Sequence, residues 1–167
     1  MGAKEEYRVI LEVFEGPLDL LLYLVKREGI DLAKVVETRL RDDMLPFRFQ
    51  VVSTAHHSLG AIEGCKAGEF SPPPASDGMD YASLAGLIGD AAEKLSALSE
   101  DEVNALEGGD MVFRLGNNAI PFRNEGFIQS FSLPNFYFHA TTTYDILRHL
   151  GAPLGKRDFL GQMRVNM

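Results

Sequence analysis

Cysteine is scarce in this chain: Cys65 stands alone among 167 residues. An internal disulfide is therefore excluded, and a single thiol suits a reducing compartment. Basic charge is also short, with 16 Lys and Arg against 24 Asp and Glu, a formal net charge of -8. No dense Lys/Arg block offsets this, so the long-range field opposes a polyanion such as DNA or an anionic membrane surface. Nor is there a run of about 18 apolar residues able to span a bilayer. The opening string Met1-Gly2-Ala3-Lys4-Glu5-Glu6 lacks the apolar stretch of a secretory signal, and Tyr7 stands where a myristoylation motif needs Ser or Thr. These absences lead us to expect a soluble cytoplasmic protein with neither nucleic acid nor membrane as a partner. Internal repeats are missing too, and the low-complexity content is limited to Pro72-Pro73-Pro74.

What is present is helical periodicity, broken at a few places. The length is that of one domain, residues 1–167, able to bury roughly 70% of its unfolded surface without staples. Pro17 to Lys26 opens with a good first-turn residue and continues with dense leucines, which predicts a helix ending near Gly29. Asp31 is placed to cap a second helical piece from Leu32 to about Leu40. Met44, Phe47, Val51, Ala55, Leu59 and Ile62 then recur at steps of three and four, one apolar face of a long helix from Met44 to Ile62.

Lys66 to Gly78 is rich in Gly, Ser and Pro and reads as an exposed crossing loop. Helical spacing resumes from Tyr81 to Leu98, and Ser99-Glu100-Asp101-Glu102 supplies a cap with acidic first-turn residues for a short helix. Between Met111 and Arg123, two apolar strings flank Gly116-Asn117-Asn118, the composition of a β-hairpin that must lie on the helices. A last long helix is expected from about Asn124 to Leu150, kinked by Pro134 and stopped by Gly151.

Four histidines are the natural candidates for chemistry, since imidazole is both a common metal ligand and a general base near neutral pH. On the last helix His139, Thr143, Ile146 and Leu150 share one stripe, so His139 can face the interior with Thr143 one turn further on. His149 leaves that stripe near the helix C-terminus, where the dipole favours a solvated cation. Of His56 and His57, only one can enter the same pocket. His56 borders the apolar stripe, whereas His57 shares a second stripe with Gln50, Thr54 and Ala61. Periodicity leaves that choice open. Cys65 reads as a small packing residue, and Lys156 and Arg157 as surface charges, with Phe159 and Leu160 pinning the tail.

Several strings carry a resemblance: Arg39 to Phe47, Phe49-Gln50-Val51, His57, Ser132 to Thr142 and Gly155 to Gly161. From about Ile30 to Gly161 the chain resembles the uncharacterised bacterial family called domain of unknown function nineteen-ninety-three, within the DinB/YfiT-like superfamily. The resemblance implies an all-α fold, a DinB-like four-helix bundle with a small β-hairpin before the last long helix, often a homodimer. It also implies a divalent metal, zinc or nickel, held by a histidine on the second helix and an H-x-x-x-H pair on the last. Here His57 and His139 match the first two ligands, and Thr143 stands where the third histidine is expected.

Members that use low-molecular-weight thiols as transferases or isomerases make a thiol-transferase-like activity on a small-molecule ligand one reading. The other is a non-catalytic dimeric bundle acting through protein partners, with structural histidines. A second resemblance is confined to Tyr7 to Leu32, which is similar to the opening of the bacterial kleisin family, segregation and condensation protein A. Here residues 7–32 are expected to serve as helix one of the bundle, with Leu18, Leu21, Leu22 and Val25 as its core face.

Overall fold

The computed structural model describes residues 29–161. Helix α1 (Leu32–Glu37) begins where Asp31 Oδ1 accepts the backbone N–H groups of Ala33 and Lys34. It ends earlier than its sequence suggests because Thr38 turns extended, and the Thr38 carbonyl instead accepts the N–H of Phe47. That bond fastens the end of α1 to the start of the next helix.

The first long rod starts at Phe47, since Pro46 occupies the cap with an extended backbone. It comprises α2 (Phe47–Ala55), a π turn (His56–Gly60) and α3 (Ala61–Ala67). Gly68, at φ 75°, takes the left-handed conformation that stops it. The rod therefore begins later and runs further than Met44 to Ile62. The crossing segment is correspondingly altered: Lys66 and Ala67 are helical, and Glu69–Phe70 forms strand β1.

The second rod is α4 (Tyr81–Ser96), capped by Asp80 through the Ser83 N–H. A short α5 (Glu100–Asn104) follows, with Ser99 and Glu102 satisfying each other's backbone N–H groups in a capping box. Strands β2 (Asp110–Leu115) and β3 (Asn118–Arg123) pair antiparallel, with Leu115 opposite Asn118 across the turn residues Gly116 and Asn117. The third rod comprises α6 (Asn124–Phe127), a π turn (Ile128–Ser132) and α7 (Leu133–His149). Pro134 falls in the first turn of α7, directly after the widened turn, so the break expected at the proline is a π turn preceding it. Helix α8 (Lys156–Leu160) closes the described residues.

Strand β1 pairs in parallel with β2, Phe70 opposite Phe113, so the expected hairpin is part of a three-stranded sheet in the order β1-β2-β3. A strand of two residues leaves almost no periodic signal in a sequence. The described residues are thus mostly helical with a small sheet, and an all-α description needs that sheet added. The segment Pro17 to Lys26, read as the remaining helix of a four-helix bundle, lies outside the described residues.

Two cores hold the elements together. Val35, Phe47, Val51, Leu84, Ile146, Leu147 and Leu154 join α1, α2, α4, α7 and the tail, each almost fully buried. A second core between α3, the sheet and the third rod contains Ala61, Cys65, Phe70, Met111, Phe113 and Phe127. Each fully buried Leu or Phe contributes about 2 kcal/mol. Among the helices, α2 and α7 pack most extensively against each other and form a seam.

Candidate functional site

At the seam, His57 from the first π turn lies against His139 from α7, their ring centroids 6.0 Å apart and their planes within 12°. His57 is buried and His139 half-buried. Each ring is held by its Nδ1. The His139 Nδ1 lies 2.8 Å from Gln50 Oε1, while Gln50 Nε2 donates to the Leu45 carbonyl at 2.9 Å. Because the amide nitrogen is committed to that carbonyl, the amide oxygen faces the imidazole and can only accept. His139 therefore carries its proton on Nδ1.

The same argument applies to His57. The buried Ser132 hydroxyl donates to the His57 carbonyl at 2.9 Å, so its oxygen has no proton left for the ring. The His57 Nδ1, 3.4 Å away, makes a long bond in which it is the donor. Both neutral rings thus have Nε2 as the free lone pair. A second partner on Nδ1 that fixes tautomer and orientation is the arrangement by which proteins present an imidazole for work at its other nitrogen.

Both rings line a cavity of about 230 Å³ at this seam. Its walls are Phe49, Phe70, Phe113, Phe131 and Leu115, with Pro72 and Pro73 of the crossing segment at one side. Two further polar residues line it. Asn135 donates its amide N–H to the Phe131 carbonyl at 2.8 Å, which leaves Oδ1 as an acceptor. Ser53 is completely buried, and its hydroxyl has no partner. Leaving a buried hydroxyl unpaired costs about 1–3 kcal/mol.

No Asp, Glu, Lys or Arg lines the cavity. Burial pushes the His57 imidazole down to about 4, with the neighbouring His56 and His139 rings adding to the effect, and burial also lowers His139. At neutral pH the site therefore holds two uncharged imidazoles. They act as hydrogen-bond acceptors rather than as cations.

Thr143 is fully buried, donates to the His139 carbonyl at 2.8 Å and does not line the cavity. The residue that accompanies His139 is Asn135, one turn earlier on the helix. His56 leaves the site: its Nε2 donates to the Ser71 carbonyl at 2.7 Å and its ring stacks on Phe70 at 4.3 Å, pinning the start of the proline strap. His149 is exposed, and Cys65 is buried with its thiol pushed up by burial and by Glu125. Phe159 packs on Tyr144 at 5.6 Å, whereas Leu160 is exposed and does not pin the tail.

The donors do not fit a resident zinc or nickel ion. Two imidazoles are one fewer than the three protein ligands of a usual catalytic zinc site, and the hydroxyl and amide oxygens that complete the lining are weak ligands. Among the described residues, no three His, Cys, Asp or Glu side chains are grouped to hold a metal ion. Ser53, Asn135 and Ser132 were not singled out in the sequence. Gln50, Ser53, Thr54 and His57 do share a polar stripe on an otherwise apolar helix, and that stripe was the available signal for Ser53.

Among the described residues no helix is long and apolar enough to cross a membrane. In fold, the chain is similar to a DinB family member protein from Shewanella denitrificans, with a TM-score of 0.71 and 21% identity over 90% of this chain and 87% of that one. In sequence, 28 residues are 64% identical to segregation and condensation protein A of Coxiella burnetii, a match spanning 17% of this chain and 10% of that protein. The family model described as Domain of unknown function (DUF1993) matches residues 8–160, and the chain belongs to that family.

Proposed function

We propose that the protein binds a small molecule in the cavity between α2 and α7, with the Nε2 atoms of His57 and His139 as its recognition groups. The observation that carries this reading is the pair of anchored Nδ1 atoms, on Gln50 and on Ser132, beside a buried hydroxyl without a partner. Three polar features converging on one apolar cavity are the usual composition of a small-ligand site. Binding, rather than thiol transfer, follows from the electrostatics: neutral imidazoles pushed down by burial are poor bases for ionising a thiol.

A fragment screen read on the histidine ring nitrogens of the native protein tests this. Molecules that shift both His57 and His139 are the expected result. A screen in which no fragment touches either ring, or near-stoichiometric metal that is lost on His57→Ala and His139→Ala, contradicts it.

The same protein is read as one domain and as a homodimer. The second point rests on Leu133, Tyr137 and Phe138, large apolar residues of α7 that are 41%, 57% and 59% exposed.

A further inference from the structure

We infer that the cavity takes a small uncharged molecule with an apolar ring and two hydrogen-bond donors, the chemistry of a dihydroxybenzene. The inference rests on reading the cavity as a ligand site and adds the class of ligand. It follows from an inventory of what the walls can exchange.

His57 Nε2, His139 Nε2 and Asn135 Oδ1 can only accept once their other polar atoms are committed to Ser132, Gln50 and Phe131. The Ser53 hydroxyl and the second N–H of the Asn135 amide are the cavity groups still able to donate. With the Ser53 oxygen also able to accept, acceptors outnumber donors, which matches a ligand that brings protons of its own. A carboxylate or phosphate finds no Lys or Arg in the cavity lining to pair with it. An ammonium finds no carboxylate. Burying either charge unpaired costs far more than burying a neutral hydroxyl that is hydrogen-bonded.

Shape points the same way. Phe49, Phe70, Phe113 and Phe131 surround the imidazoles and offer ring faces and edges to an aromatic guest. The volume of about 230 Å³ admits a single substituted ring.

Calorimetric titration of the full chain at neutral pH with resorcinol, benzoate and benzylamine tests the class. Resorcinol is expected to bind at one site, with the two ions weaker by about ten-fold or more, equivalent to one lost charge-free hydrogen-bonded fit. Ser53→Ala removes only a hydroxyl, so it is expected to weaken resorcinol about five-fold while leaving thermal stability unchanged or higher. His139→Phe is expected to weaken it further, with amide chemical-shift dispersion reporting that the fold is retained.

Benzoate or benzylamine binding as well as resorcinol would overturn the inference. So would resorcinol binding unaltered by both substitutions, or no binding of any of the three. If other fragments still shift the two histidine rings, the ligand class falls and the pocket reading stands.

Discussion

Gln50 and His139 join α2 to α7 through one hydrogen bond, the imidazole Nδ1–H donating to the amide oxygen at 2.8 Å. The glutamine is itself fixed by the Leu45 carbonyl at the start of its helix. The orientation of His139 is thus set from a different element, by a residue that does not line the cavity.

Gln50→Leu keeps the side-chain bulk and removes both bonds. The His139 Nδ1–H and the Leu45 carbonyl lose their partners, at a cost of about 1–3 kcal/mol. Urea unfolding is expected to show that loss, and ring-nitrogen spectra a mixture of His139 tautomers in place of one. Unchanged stability with a single tautomer would mean that Gln50 does not orient the ring.

Stability should depend on pH through His57. Its folded value, about 4, lies below its ordinary 6.5, so the unfolded chain binds more protons between these values. The stability contribution is complete above about pH 6.5 and is lost as pH falls towards 4, by at most about 3 kcal/mol. His139, also lowered by burial, acts in the same direction. Denaturant midpoints from pH 7.5 to 4.5 measure this, and His57→Phe should flatten the slope. A slope that His57→Phe leaves as steep would place the titration elsewhere.

The wall of the site depends on a glycine in α3. A Cβ built on Gly64 meets Phe70 Cδ2 at 2.9 Å and the Glu69 carbonyl oxygen at 3.1 Å, so the buried ring or the strand backbone must shift to admit it. Gly64→Ala is expected to destabilise by about 1–3 kcal/mol through overpacking. Because Phe70 stacks on His56 and lies 5.4 Å from His57, the His57 ring resonances should shift as well. An alanine variant as stable as the native chain would contradict the packing described.

Light scattering checks self-association. A dimer mass at micromolar concentration is expected, shifting towards monomer in Tyr137→Lys, where a charge enters the exposed apolar stripe of α7. A monomer mass for the native chain would remove the homodimer from the account.

Much of the fold was legible because its elements obey simple periods. The apolar steps from Phe47 to Ala55, the Ser99-Glu102 capping box and the Gly116-Asn117 turn are local signals, and the structure places a helix, a cap and a hairpin there. What was lost came from non-local or aperiodic causes. The π turn at His56–Gly60 adds a residue to the turn, so a 3.6-residue wheel drawn from Phe47 misplaces whatever follows. The choice between His56 and His57 falls in that turn. Strand β1 exists because Phe70 packs against Gly64 and pairs with β2, contacts between residues far apart in sequence or too few to show a pattern. At the site, the sequence pointed to His57 and His139. Thr143, one turn further on the same stripe, bonds back to the His139 carbonyl while Asn135 lines the cavity, a difference hidden in sequence because a hydroxyl that bonds back to its own helix looks identical there to one that faces a cavity.

The central claim is that two neutral imidazoles are held by Nδ1 and offer Nε2 to a ligand. Long-range proton–nitrogen correlation spectra of the histidine rings, recorded at pH 7.5 on the chain without ligand, test it most directly. The account predicts that His57 and His139 each show a protonated Nδ1 and an unprotonated Nε2, while His56 shows the reverse. A protonated Nε2 on either His57 or His139, or a doubly protonated ring at that pH, would contradict it.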